Sequence, residues 1–206
     1  MKHDREGPSA FADAAAALGV DLPDGAALRL EEYEAMLAER GIPQGLVARS
    51  DAGRIRERHI LDSLRALTAI GDRDALAYDV GSGAGLPGVV VAVARPSLVV
   101  RLVEPRRARA AFLEWVLETL DVTNAEVVQG RIENQRTQAD ACLARAFAPL
   151  PDAWLACRHV LRSGGRLVYF AGKASDDPAL LDGATRVDVL GSALLACSGP
   201  LIIMTR

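Results

Sequence analysis

Cysteine and histidine are scarce in this chain. Its three cysteines, Cys142, Cys157 and Cys197, form no C-x-x-C pair, and their odd number argues against a disulfide framework or a zinc site. The three histidines, His3, His59 and His159, are scattered, so no metal centre is expected. No run of about 18 apolar residues occurs, so no membrane span is expected. The N-terminus MKHDREGPSA lacks the apolar run of a secretion signal. An excess of one charge is missing too. A formal net charge of −3 over 206 residues creates no global field for a nucleic acid, so such a partner would need local basic patches. A soluble, cytoplasmic protein is expected, long enough for one core and a small appendage.

What is present divides into two patterns. Up to about residue 72 the chain reads as helical. Ser9 can cap a helix through the Ala-rich stretch 10–17, which Gly19 ends. Asp24 can cap a second helix running to Gly41, with Leu28, Tyr33, Met36 and Leu37 near a 3.6-residue period. GIPQG breaks the chain, and Ser50 or Asp51 can start a third helix with Ile55, Leu61, Leu64 and Leu67 inward. From residue 73 short apolar runs take over: ALAYDV, LVVRLVE, AEVVQG, ADACLARAF, GRLVYF and LIIMTR. LPGVVVAVAR, RRARAAFLEWVLETL and PDAWLACRHVL read as helices between them. Strand and helix in alternation imply a parallel sheet covered on both faces. TRVDVL and LIIMTR are too close for a helical crossover and should pair antiparallel at the end of the sheet. The division is therefore a helical extension, 1–72, and one compact sheet domain, 73–206.

The first strand ends in DVGSGAGLPG, residues 79–88. Gly81, Gly83 and Gly85 permit a tight turn and close approach of a ligand to the backbone. Pro87 suits a first helical turn. Ligands of doubly wound sheets bind at the carboxyl ends of strands, so this loop is a candidate nucleoside-cofactor seat. Gly83, Gly85 and Gly88 match G-x-G-x-x-G literally, but two residues late after the strand, which argues against a nicotinamide dehydrogenase. D-x-G-x-G-x-G suits S-adenosylmethionine (SAM) better: the Asp79 carboxylate can hold its amino-acid end. Glu104, closing the second strand, can accept ribose hydroxyls. Gly130-Arg131-Ile132-Glu133 follows the third strand, where an adenine would lie.

DVGSGAGLPG, EPRRARAAFLEWV, VVQGRIE, ARAFAPL and the earlier RERHILDSL together resemble the RsmG/GidB family, bacterial 16S rRNA guanine-N7 methyltransferases; the likeness runs from about residue 28 to 173. It implies a class I SAM-dependent methyltransferase: an α/β, Rossmann-like fold with a seven-stranded, mostly parallel sheet whose last strand is antiparallel, plus an N-terminal helical extension. It implies methyl transfer from SAM to N7 of one guanine in 16S rRNA or the small ribosomal subunit, by a monomer. Carried over by position, Gly81, Leu86, Ile132, Glu133 and Arg145 would contact SAM, beside Gly83, Gly85 and Glu104; His59, Arg145 and Lys173 would face the substrate. Many members carry Trp-Asn…Asn-Leu-Thr where this chain has AERGIPQGLVARSD, and Lys-Gly where it has Gly172-Lys173.

N7 carries a free lone pair, so no general base is required and placement in line with the methyl does most of the work. Asp62 and Ser63 can brace the glycine loop. Arg49, Arg54, Arg56 and Arg58, with Arg106, Arg107 and Arg109, can grip phosphates or form solvated faces. Phe147 can stack on a base or pack in the core, and Trp115 and Trp154 read as packing residues. A SAM methyltransferase of a small molecule, or a non-catalytic SAM-binding assembly protein, fits the same loop.

Overall fold

The computed structural model describes residues 10–172, 178–191, 195 and 198–206; Ser9, Lys173 and Cys197 lie outside them. Seven strands form one sheet: β1 (Leu76–Val80), β2 (Val99–Glu104), β3 (Ala125–Gln129), β4 (Ala139–Arg145), β5 (Leu161–Phe170), β6 (Arg186–Leu190) and β7 (Leu201–Thr205). Their order is β3-β2-β1-β4-β5-β7-β6. β1 pairs in parallel with both β2 and β4, and β2–β3 and β4–β5 are also parallel. β7 runs antiparallel to β5 and to β6, as the short connection requires. The order reverses at β1, so β4 lies on the opposite side of β1 from β2. The carboxyl ends of β1 and β4 therefore flank the crevice where such sheets bind ligands.

Both faces are covered. On one lie α3 (Gly88–Ala94), α4 (Arg107–Thr119) and the helical N-terminal segments, α1 (Ala10–Ala17) and α2 (Ala26–Met36), in one apolar cluster with the sheet. On the other, α5 (Leu150–Cys157) packs Trp154 and Cys157 against Tyr78, Cys142 and Leu167. Every residue of α3, GVVVAVA, is buried. β-Branched residues disfavour an isolated helix, so packing between the sheet and the N-terminal helices maintains this one. Among the described residues, no helix is long and apolar enough to cross a membrane.

Several local expectations need correction. Gly25, at φ 75, caps α2 with no side-chain hydrogen bond, in place of Asp24. The helical path does continue to Gly41, through a wide π turn over Leu37–Gly41. The third helix is a broken path: 3-10 turns at Arg49–Arg54 and Arg65–Ala69 flank a π turn at Arg56–Leu61 and an α turn at Asp62–Leu64. Its inward residues Ile55, Leu61, Leu64 and Leu67 are buried as the periodicity predicts. Pro87 precedes the first residue of α3. β5 begins at Leu161, earlier than GRLVYF suggests, because a register shift against Ala139–Ala141 accommodates Gly164 and Gly165.

Candidate active site

The glycine loop is shaped by hydrogen bonds from three directions. The Gly81 and Ser82 amides donate to the Val103 carbonyl at 2.9 and 3.1 Å, hanging the loop from β2. The Gly83 amide donates to Glu104 Oε2 at 3.0 Å. The Gly85 amide closes a turn onto the Ser82 carbonyl at 2.7 Å, while the Tyr33 hydroxyl, from α2, donates to the Ala84 carbonyl at 2.6 Å. Gly81, Gly83 and Gly85 have φ of 70, 58 and 94°, left-handed values that glycine adopts without steric cost. A side chain at Gly83 would meet nothing nearer than 3.7 Å, so this is the open part of the cradle. At Gly81 a Cβ would stand 2.8 Å from the Phe147 ring, which closes the loop's other side.

Gly88 has a different task. A Cβ there would run into Leu102 and into Asp79 Oδ2, the latter at 2.5 Å, so its absence lets α3 lie directly on the sheet. Asp79 is correspondingly buried, at 1% exposure, and Oδ2 has no hydrogen-bond partner. Burial pushes its carboxyl from 3.8 up to about 7, with the Ser82 hydroxyl and Gly88 amide pulling the other way. It therefore lies behind the loop and does not line the open cleft over Gly83. Glu104 is also buried, at 2% exposure. Its second oxygen accepts from the Arg106 amide at 2.9 Å, so both oxygens are engaged by backbone.

At the end of β4, Arg145 ties the helical extension to the sheet. Its Nη2 donates to the Arg58 carbonyl at 2.7 Å and its Nη1 to the His59 carbonyl at 3.2 Å; Asp62 Oδ2 lies 3.4 Å away. Nη2 also sits 3.2 Å from His59 Nδ1, and His59 Nε2 sits 3.0 Å from Asp51 Oδ2. An always-protonated guanidinium can only donate, so Nδ1 is the acceptor and Nε2 carries the proton toward Asp51. Burial, then the Arg145 charge, pulls the His59 pKa below its usual 6.5. Asp62 and Ser63 thus brace Arg145: Asp62 also pairs with Arg65 at 2.7 Å, and Ser63 Oγ donates to the His59 carbonyl at 2.5 Å. Among the described residues neither side chain makes a hydrogen bond to the glycine loop, where bracing was expected. With both ring nitrogens engaged, His59 offers a substrate no free polar atom. Ala146, next in the chain, adopts φ 50°, a strained value for a residue with a side chain and one that clusters at functional sites.

Two clefts share Arg145 and Ala146. One, of about 190 Å³, is lined by Gly81, Gly83, Ala84, Leu86, His59 and Val47 among others. The second, of about 610 Å³, is lined by Arg58, Asp62, Tyr169, Phe170, Gly172 and Ser198 among others. The first therefore brings together five expected residues, Gly81, Gly83, Leu86, His59 and Arg145. Gly85 is buried beneath it. Glu104, Ile132 and Glu133 do not line it; Ile132 is in the core and Glu133 is exposed, beyond β3 at the same edge of the sheet. The basic cluster is partly spent within the protein. Arg54 and Arg58 each lie 3.1 Å from Asp51, and Arg56 pairs with Glu34 at 2.7 Å. Arg106, Arg107 and Arg109 make no ion pair among the described residues, although they open α4, where the helix dipole disfavours cations. Sequence reasoning missed the sites of Tyr33, Asp51 and Val47. Tyr33 was legible as an inward helical residue, but nothing local tells which loop it meets.

Fold and site define a class I methyltransferase domain. The chain superposes on a methyltransferase from Geobacter sulfurreducens with a TM-score of 0.62, at 18% identity, over 94% of each chain. The family model for GidB, rRNA small subunit methyltransferase G, matches residues 27–187. Ribosomal RNA small subunit methyltransferase G of Burkholderia thailandensis is 37% identical over 184 residues, 84% of this chain and 80% of that protein. Its counterpart in Thermobifida fusca is 38% identical over 148 residues, covering 71% of this chain but 62% of the relative. The chain belongs to the GidB family.

Proposed function

We propose that this protein transfers a methyl group from SAM to N7 of a guanine in small-subunit rRNA, acting on 16S rRNA or the small ribosomal subunit. The open, left-handed cradle at Gly83, set beside Arg145 at the switch point of a GidB-family sheet, carries the reading. The fit to the donor is steric first: Gly81 and Gly83 leave backbone bare where a nucleoside's sulfonium end must approach closely. Leu86 supplies an apolar wall, and Ile132 and Glu133 stand at the next strand end for an adenine. Each Glu104 oxygen accepts one backbone hydrogen bond and keeps a second lone pair that would accept a ribose hydroxyl. Arg109, within 3.9 Å of the Gly83 Cβ position, is placed for the donor's carboxylate.

The bound donor supplies an electrophilic methyl on sulfur. Guanine N7 needs no deprotonation, so the protein's contribution is placement. Arg145 does not stabilise the positive charge that develops on guanine; its ties to Arg58, His59 and Asp62 hold the strand end and the extension in fixed relation, so the two clefts stay aligned. The larger cleft beside Tyr169 and Phe170 is the place for the target nucleotide, with Lys173 following it in sequence. Arg106 and Arg107, which make no ion pair among the described residues, suit a phosphate backbone.

Small subunits from cells lacking this gene, incubated with methyl-labelled SAM, test the reading. Label is expected in 7-methylguanine of 16S rRNA; unlabelled subunits beside an active control enzyme would refute it. A methyltransferase of a small molecule is the second reading, favoured by the pairing of Arg54, Arg56 and Arg58 with Asp51 and Glu34. Turnover on metabolites without RNA would identify it.

A further inference from the structure

We infer that Tyr33, on the N-terminal helix α2, is a positioning residue for the methyl donor, because its hydroxyl sets the orientation of the peptide that floors the donor's cleft. The inference rests on reading that cleft as the donor's seat. Tyr33 has no solvent exposure, and its hydroxyl donates to the carbonyl of Ala84, 51 residues away, at 2.6 Å. Ala84 lines the cleft. Its carbonyl belongs to the same peptide plane as the Gly85 amide, which closes the turn onto Ser82 at 2.7 Å. Fixing that oxygen therefore fixes the turn.

The other braces come from the sheet: Val103 holds Gly81 and Ser82, and Glu104 holds Gly83. Tyr33 alone among these side-chain and strand contacts reaches the loop from the extension. The fit is close on both sides. A Cβ at Gly85 would stand 2.9 Å from the Tyr33 hydroxyl and 2.6 Å from Val89, so glycine at 85 is what admits the hydroxyl to its acceptor. A buried tyrosine serving only the core needs its ring packed and some acceptor for its hydroxyl. Here the acceptor is a carbonyl of the ligand-facing loop, so the helical extension acts as part of the cofactor site.

Calorimetric titration of S-adenosylhomocysteine into wild type, Tyr33→Phe and Leu30→Val tests this. Tyr33→Phe keeps the ring and removes one hydrogen bond, so the affinity is expected to fall about tenfold. Leu30, one turn earlier on α2 and equally buried, has an apolar side chain that makes no hydrogen bond to the loop. Leu30→Val should lower the melting temperature while keeping affinity within about twofold. In turnover, Tyr33→Phe should raise KM for the donor and leave kcat and KM for RNA unchanged. Equal affinities for wild type and Tyr33→Phe would overturn the inference, as would parallel losses in both variants. A wild type that binds no donor would instead overturn the reading of the cleft itself, and the inference with it. Should Tyr33→Phe fail to fold, hydrogen exchange on the wild type decides: amides 82–85 are expected to open together with 30–36, and independent opening refutes the coupling.

Discussion

Replacing Asp79 by asparagine should reverse the sign of its effect on stability between acid and alkaline pH. The carboxyl is buried behind Gly88 with one oxygen unpartnered, and burial raises it from 3.8 to about 7. Below 3.8 both folded and unfolded chains hold the proton. Between 3.8 and 7 the unfolded chain has released it and the folded chain has not, so stability falls as pH rises and levels off above 7. At about 1.36 kcal/mol per tenfold, the full cost is about 4 kcal/mol. Asparagine never ionises, but its amide leaves a buried donor without a partner, at about 1–3 kcal/mol irrespective of pH. The variant should therefore be less stable than wild type near pH 4, where wild type has lost little, and about 1–3 kcal/mol more stable at pH 8. His59 contributes in the opposite sense. Its lowered folded pKa gives stability that is present above 6.5 and lost as pH falls, but it is common to both proteins and cancels in the difference. Urea denaturation of both proteins from pH 4 to 8 provides the test. A stability difference that stays constant across that range would refute a buried, titrating Asp79.

Two further substitutions probe the loop and the strand end. Gly83→Val places a branched residue at φ 58° and a side chain in the open cradle; SAM affinity measured by titration should fall at least about tenfold, with most of the fold's stability retained, since strain of this kind costs about 1–3 kcal/mol. Ala146→Gly relieves the φ of 50° against glycine's greater loss of entropy, so urea denaturation should show a gain of up to about 1 kcal/mol.

Much of this architecture was legible because the sheet is buried on both faces. ALAYDV, LVVRLVE and ADACLARAF read as strands because they are short apolar runs set off by helical stretches, and the short path from TRVDVL to LIIMTR signalled the antiparallel turn-back. The helical extension was harder. Its third segment has correct inward periodicity at Ile55, Leu61, Leu64 and Leu67, yet alternating 3-10 and π turns replace the regular helix. Those turns bring the Arg58 and His59 carbonyls to the Arg145 guanidinium, 86 residues from His59, a tertiary demand that a local window does not contain. Asp79 and Glu104 were recognised as important carboxylates, but their orientation depended on packing: Gly88 draws α3 onto Asp79, and Gly83 folds back onto Glu104. Gly88, third in the late G-x-G-x-x-G match, proved to be the glycine of helix–strand contact. Lys173 falls outside the described residues.

The central claim is that the cleft over Gly81, Gly83, Ala84 and Leu86 seats the methyl donor. Amide chemical-shift mapping with S-adenosylhomocysteine tests it most directly. The largest perturbations should fall on residues 81–86, with smaller ones at 104–106 and 130–133. Saturable binding whose perturbations cluster at another face, leaving 81–86 unmoved, would contradict it.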